Sequence, residues 1–344
     1  MRLHYFDYFR AITIILIVLG HSWTKWTIDT VPELIVVNII GGSTPLFVFI
    51  SGFFFHHIFY KKFDLKLFIL KKSKVVLSPY IIQSSLAFIV IVLFLEKPSP
   101  YLVFDTDTPT ILVYLKYMWT GRVLTAYWYI PFVMMLFILS PVFIVFIKST
   151  KLVQLSVFFF LLLVSLIIHR PGHGLSPIHS LLYFPPLYLL GILYSIYSEH
   201  INRFISNKSL VLGFLALFFA FIQSYFYGSF GSFQKAEIFS FNGIDVSIIQ
   251  KIFLIFFILS VLISMRNTNI SFLKYIAKIS FPIFFIHPWV LFFIGYFSLN
   301  QLIIELPGII IFAITAIFTL VVSILLANIV KLLLKDKSKY AIGW

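Results

Sequence analysis

Apolar runs of about twenty residues, parted by short polar stretches, recur along the whole chain, and each is long enough for the hydrocarbon core of a bilayer. Ten such runs fall at 8–24, 34–60, 75–95, 128–147, 152–169, 179–198, 209–227, 247–264, 276–297 and 308–334. Continuous apolar stretches of this length predict an all-α, polytopic membrane protein with about ten transmembrane helices. Gly41-Gly42-Ser43-Thr44-Pro45 interrupts the second run. That stretch predicts a break or kink before helix resumes over Leu46–Phe55, with the early part re-entrant or interfacial.

Basic residues set the expected orientation. With a cytoplasmic N-terminus, the inner segments are 61–74, 148–151, 199–208, 265–275 and the tail from Lys335. They hold most of the 26 Lys and Arg, while most of the 12 acidic residues fall on the other side. The positive-inside rule then puts both termini in the cytoplasm, as ten spans require. The outer loops are 96–127, 170–178 and the Gly- and Ser-rich 228–246. Loops this long read either as parts of a site for a polar acceptor or as solvated connectors. The whole of 1–344 reads as one transmembrane domain with no soluble domain and no internal repeat.

Composition agrees with this reading and narrows the chemistry. The chain is 61% hydrophobic and 11% charged, against about 25% charged in soluble proteins. Cysteine is absent, which excludes disulfides, thiolate metal ligands and a cysteine nucleophile. The net charge of +14 is explained by the basic inner segments and does not call for nucleic acid. There is no Gly-rich phosphate loop and no HExxH motif. His169, Arg170 and His173 lack an acidic partner, so no metal is expected. The first span lacks a small-residue cleavage site after Gly20-His21-Ser22-Trp23-Thr24-Lys25, and it reads as a retained anchor.

The first span, DYFRAITIILIVLGHSW over Asp7–Trp23, carries the unusual polar groups. Eleven residues separate Arg10 from His21, close to three helical turns, so both side chains share one face. They stand roughly 16 Å apart along the axis. Asp7 precedes Arg10 by three residues, a spacing that allows pairing. Ionisable groups inside a membrane helix are costly and usually line a cavity or a bundle interior. The alternative is a snorkelling Arg10 and an interfacial His21.

These residues resemble the membrane-embedded acyltransferase-3 family, bacterial integral-membrane O-acyltransferases that modify surface glycans. DYFRAITIILIVLGHS is similar to the family's opening helix, with Asp, two residues, Arg, ten residues and His. LFVFISGFF at Leu46–Phe54, with Ser51 and Gly52, is similar to its SGF signature. KKSKVVLSPY at 71–80 is similar to its RxxR…PxY segment. Trp128-Tyr129 and SFPIFFIHP at 280–288, with His287, are weaker matches. Together they run in order along nearly the whole chain. Three departures stand out: Lys71 and Lys74 replace the arginines, Phe284 replaces a tyrosine three residues before the last histidine, and no hydrolase-like domain is fused, as in a stand-alone form.

The resemblance implies transfer of an acyl group from cytoplasmic acetyl-CoA, a co-substrate, to a hydroxyl of a surface polysaccharide or lipid-linked sugar precursor. The setting implied is multi-pass in a bacterial inner membrane, in contact with lipid. His21 is the candidate base, since histidine titrates near the working pH. Arg10, with Asp7, joins it as a candidate catalytic residue, and Arg10, Lys71, Lys72 and Lys74 are candidates for the donor phosphates. The reach from Arg10 to His21 compares with a pantetheine arm. Ser51, Trp128, Tyr129 and His287 are candidates for contact with substrate. Each has a structural alternative: helix packing for Ser51-Gly52, an interfacial belt for Trp128 and Tyr129, a core histidine for His287, and topology for the lysines. His56 and His57 read as interfacial. The other function classes are a glycan exporter and a succinyl rather than acetyl transferase.

Overall fold

The computed structural model describes residues 4–23, 28, 30–228, 231, 233–299, 303 and 305–344. Thr24 and Lys25 after the first span, and part of the loop 228–246, lie outside the described residues. Among the described residues the fold is all-α apart from a two-stranded pairing of Arg170–Pro171 with Gln234–Lys235. The helices of the first third are α1 (His4–His21), α2 (Val31–Ile40), α3 (Thr44–Phe54), α4 (Leu65–Lys72), α5 (Ser78–Ala87) and α6 (Thr110–Thr120). There follow α7 (Tyr129–Ile138), α8 (Ser140–Lys148), α9 (Lys151–Ile168), α10 (Pro177–Tyr183), α11 (Pro185–Ile196) and α12 (Ser198–Ile205). The chain continues with α13 (Ser209–Tyr227), α14 (Val246–Ser264), α15 (Ser271–Lys278), α16 (Ser280–Tyr296), α17 (Gly308–Leu334) and α18 (Ser338–Ala341).

Among the described residues, six helical segments are long and apolar enough to cross a membrane: Val31–Lys62, Leu65–Phe94, Lys151–Ile168, Ser209–Tyr227, Val246–Ser264 and Gly308–Ala341. Three bent pairs, α7 with α8, α10 with α11 and α15 with α16, raise the number to nine. Proline follows each break within a few residues, at Pro141, Pro185 and Pro282, as its missing N–H and fixed φ would lead one to expect. The tenth helix of the sequence reading, α1, is not among these nine, and its ends carry His4, Asp7, Arg10 and His21.

Two local readings change. The segment 61–74, expected as an inner loop, is helical from Leu65, because Asp64 Oδ1 accepts the Leu67 N–H at 2.7 Å and caps α4. The segment 96–127, expected as an outer loop, contains α6, closed by Gly121 in the left-handed region at φ 64°. A Cβ at Gly121 would lie 2.5 Å from the Tyr127 carbonyl, so only glycine fits the turn.

The expected interruption of the second span is present. Thr30 and Glu33 form a reciprocal capping box that starts α2. The helix ends where the Gly41 N–H returns to the Val37 carbonyl at 2.6 Å, and Gly42 takes φ 63°. Pro45 then opens α3 in the first turn, where its missing N–H costs nothing.

The chain divides into two compact units: Met1–Phe63 with Pro141–Arg170 and Leu182–Ser280, and Asp64–Ser140 with Pro171–Leu181 and Phe281–Trp344. In the first, Phe6 of α1 stacks on Phe53 of α3 with ring centres 3.5 Å apart, beside Phe49 and Tyr194. Gly52 of α3 and Gly191 of α11 face the backbone of each other's helix. A Cβ at either would fall 2.0 Å from the Tyr188 or Phe49 carbonyl. In the second, the Tyr127 hydroxyl donates to the Phe285 carbonyl at 2.7 Å, and Trp289 Nε1 donates to Gln83 Oε1 at 2.9 Å. Gln83, Leu86, Ile286, Trp289, Phe318 and Val322 are among the residues lining an apolar cavity of about 530 Å³ in this unit.

Candidate functional site

Asp7, Arg10 and His21 lie on one uninterrupted helix, as the spacing requires. The N-terminal half of α1 is fastened to the segment that leads into and through α15. Tyr8 Oη donates to the Thr268 carbonyl at 2.8 Å and accepts the Ile270 N–H at 3.0 Å. The Arg10 guanidinium donates through both Nε, at 2.9 Å, and Nη2 to the Ala277 carbonyl, which also accepts from Ser280 Oγ. Arg10 is thus half-buried and bonded to the C-terminal end of α15, while Asp7 is buried. A guanidinium at a helix C-terminus also meets the negative end of the helix dipole.

His21 occupies the last turn of α1 and is half-buried. Its neighbour Gly20 brings this end of α1 against the break between α2 and α3. A Cβ on Gly20 would sit 3.4 Å from the Ile40 carbonyl oxygen and 3.6 Å from Gly41 Cα. Trp23 Nε1 donates back to the Gly20 carbonyl, and Ser22 Oγ to Val18 at 2.7 Å, so the helix end is closed by its own side chains. Ser51 is half-buried on α3, beside the glycine that sets the α3–α11 approach. For Gly52 the close-packing alternative is the one observed.

The break itself is held by a residue the sequence reading passed over. Lys251 of α14 is only 2% exposed, and its Nζ donates to the carbonyls of Asn38, at 2.7 Å, and Ile39, at 3.0 Å. These are among the last carbonyls of α2, which have no partner within their own helix. A single lysine in an otherwise apolar span was the available signal.

The remaining candidates belong to the second unit. Lys71 and Lys74 are exposed. Lys72 is turned inward, its Nζ 4.6 Å from the centre of the Phe137 ring and 5.5 Å from that of Phe68, a cation–π seat. Trp128 and Tyr129 are buried at the start of α7, away from the solvated belt position that was the alternative for them. Rings link them to His287: Trp128 meets Tyr129 at 6.4 Å, Tyr129 meets Phe284 at 5.9 Å, and Phe284 meets His287 at 6.2 Å. Of the four predicted substrate contacts, Tyr129 and His287 therefore meet Phe284, Trp128 meets Tyr129, and Ser51 belongs to the first unit. His287 is fully buried and its Nδ1 lies 2.9 Å from the Ile283 carbonyl. A carbonyl only accepts, so Nδ1 carries a proton and Nε2 is the basic nitrogen of the neutral ring. Where the family has a tyrosine and this chain has Phe284, the Tyr127 hydroxyl reaches the same helix at Phe285.

Four further histidines have partners of their own. His56 Nδ1 is 2.8 Å from Ser195 Oγ, and His57 stacks on Phe53. His169 Nε2 approaches the Gly243 carbonyl at 2.9 Å, whereas His173 stacks on Tyr101. Arg122 also lies over Tyr101, and burial lowers its pKa to about 10. Asp245 caps α14 through Ser247 N–H at 2.9 Å and accepts the Tyr183 hydroxyl at 2.6 Å. Complete burial pushes the pKa of its carboxyl upward despite these donors.

A set of helices that bears Arg10 and His21 on one of them is a scaffold and not yet a function. Comparison with known proteins supplies the class. The family model described as an acyltransferase domain matches residues 3–328. No curated protein and no solved structure matches the chain significantly. The match takes in α1 with Arg10 and His21, the SGF segment of α3 and the His287 helix, and the chain belongs to the acyltransferase-3 family of membrane acyltransferases.

Proposed function

We propose that this protein is an O-acetyltransferase of a bacterial inner membrane that moves an acetyl group from cytoplasmic acetyl-CoA to a hydroxyl of a surface polysaccharide or its lipid-linked precursor. The observation that carries the reading is the family match over 3–328, together with an uninterrupted α1 that bears Arg10 and His21 eleven residues apart.

The chemistry asks little of the protein beyond a base and stabilisation of an oxyanion. His21 takes the proton of the acceptor hydroxyl as its oxygen attacks the thioester carbonyl. The tetrahedral intermediate collapses with cleavage of the carbon–sulfur bond. The thiolate then takes the proton from the imidazolium, giving the O-acetyl ester and free CoA. Positive charge for the donor's phosphates is assigned to Arg10 and to the exposed Lys71 and Lys74. Lysine provides a point charge where arginine would grip two oxygens. Lys72, seated on aromatic rings, has the weaker claim. Trp128, Tyr129 and His287 are assigned to contact with substrate.

The test is the proton NMR spectrum of the host's surface glycans with and without the gene. The reading expects an O-acetyl methyl signal that disappears with the gene and returns on complementation. Unchanged spectra would refute it, and loss of a succinyl signal instead would correct the acyl group.

A further inference from the structure

The apolar cavity of the second unit takes no part in the chemistry proposed above, and its walls give it a direction. Phe318, Val322, Leu326 and Val330 line it from α17. They recur every four residues, so they form one stripe that runs roughly 18 Å along the helix. Trp289 and Phe293 of α16 and Leu86 of α5 make the facing walls. One leaflet of a bilayer contributes about 15 Å of hydrocarbon, so the stripe is about as long as one lipid acyl chain. The volume of about 530 Å³ falls within the range of about 300–1,000 Å³ typical of ligand sites. Leu86, Phe318 and Leu326 are exposed, which leaves the cavity open along one side.

Its interior is apolar by construction. Gln83 and Trp289 bring the polar side-chain atoms of the lining, and they are engaged with the walls. Gln83 Oε1 accepts from Trp289 Nε1 at 2.9 Å, while its Nε2 donates to the Ala341 carbonyl at 3.0 Å. That second bond ties α5 to the segment that carries Ile342, which closes one end of the cavity. The same end is basic. Lys331 follows Val330, and its Nζ lies 5.9 Å from the centre of the Trp344 ring, which packs with Val330 on the cluster of Ile286, Val290 and Ile342. Lys335, Lys337 and Lys339 come next and are exposed, with Asp336 the one acid in 331–339.

We propose that this cavity seats one acyl chain of an anionic phospholipid, whose phosphate is held by Lys331 and Lys335 beyond the Ile342 end. The chain matches an apolar slot one leaflet long, and the headgroup charge matches four lysines set against one aspartate. A neutral lipid satisfies the slot and leaves the lysines unused. A soluble anion does the reverse. An extended peptide segment would bring backbone groups into a space that offers them no partners. Water has nothing to hold it there, since an apolar cavity supplies none of the two to four hydrogen bonds that it needs.

The experiment is native mass spectrometry of the purified full chain in detergent, titrated with phosphatidylglycerol or with phosphatidylcholine of the same chains. The wild type should retain one phosphatidylglycerol at collision energies that strip phosphatidylcholine. The double variant Lys331→Gln, Lys335→Gln should weaken phosphatidylglycerol binding about thirtyfold, because each lysine beside an anionic headgroup contributes about fivefold. Leu326→Trp, which fills the slot and leaves every lysine in place, should weaken it as well. Leu326 is exposed, so the added ring needs no repacking of a closed core, and a melting curve of the variant without lipid checks that it is folded. Phosphatidylglycerol should raise the melting temperature of the wild type and leave that of Leu326→Trp unmoved. Equal retention of the two lipids by the wild type would mean annular lipid only. That result, or undiminished phosphatidylglycerol on either variant, would overturn the site.

Discussion

The ammonium of Lys251 lies 2.7 Å from the carbonyl oxygen of Asn38, inside a membrane helix pair and with no carboxylate among its described partners. The lysine does for α2 what solvent does at an exposed helix end: it supplies donors to carbonyls that the helix leaves unpaired. The break it stabilises is also the surface on which the His21 turn of α1 rests.

Lys251→Met keeps the methylene stem and deletes both hydrogen bonds. Bonds to charged groups are worth about 1.5–3 kcal/mol each, partly offset by the relief of burying a charge. The net expectation is a loss of about 2 kcal/mol, read as an earlier melting transition of the purified protein. A variant that melts with the wild type would show the carbonyls to be satisfied without the lysine.

The reciprocal contact of Gly52 and Gly191 leaves no room for a methyl group. A Cβ 2.0 Å from a carbonyl oxygen demands that α3 and α11 move apart. Gly52→Ala should therefore cost about 3 kcal/mol, at the upper end of overpacking effects. Recovery of monodisperse protein after extraction is the measurement, with Ser51→Ala next to it as the control expected to behave as the wild type in this assay.

Arg10 makes two hydrogen bonds to one acceptor, the Ala277 carbonyl. Arg10→Lys preserves charge but not the fork. Its stability should fall by about 1 kcal/mol, and its KM for acetyl-CoA should rise more than kcat falls, because the proposed role is donor binding. A change in kcat alone would place Arg10 at the reacting atoms instead.

Asp245 gives a pH dependence whose sign is set by burial. Its folded pKa lies above the ordinary value of 3.8, so between the two values the folded state holds more protons than the unfolded state. Stability contributed by this group is then highest below the unfolded pKa and declines as pH rises toward the folded one. Across that window the melting temperature of the wild type should fall relative to Asp245→Asn. Parallel curves would show that the Tyr183 and Ser247 donors compensate burial completely.

Much of this was legible in the residues. The Gly41–Pro45 interruption, the polar face of α1 and the close approach at Gly52 each follow from local stereochemistry, and each is present in the fold. What escaped depends on tertiary context. Trp128 and Tyr129 have the composition of an interfacial belt, and only the packing of Phe284 against Tyr129 reveals that they are internal. Lys72 looked like its neighbours Lys71 and Lys74 until the rings of Phe68 and Phe137 drew it inward. Lys251 was a lone charge in an apolar run, and its bonds to the Asn38 and Ile39 carbonyls join α14 to α2. That contact between residues more than two hundred positions apart is one no local pattern encodes.

The central claim is that His21 is the base of an acetyl-CoA-dependent transfer, and its most direct measurement is acetyl-CoA consumption by membranes carrying the wild type or His21→Ala at matched protein levels. Loss of a general base lowers rates by about 10²–10⁴-fold, so the variant should fall by at least the lower figure while still inserting and extracting normally. Consumption of acetyl-CoA at the wild-type rate by His21→Ala would contradict the account.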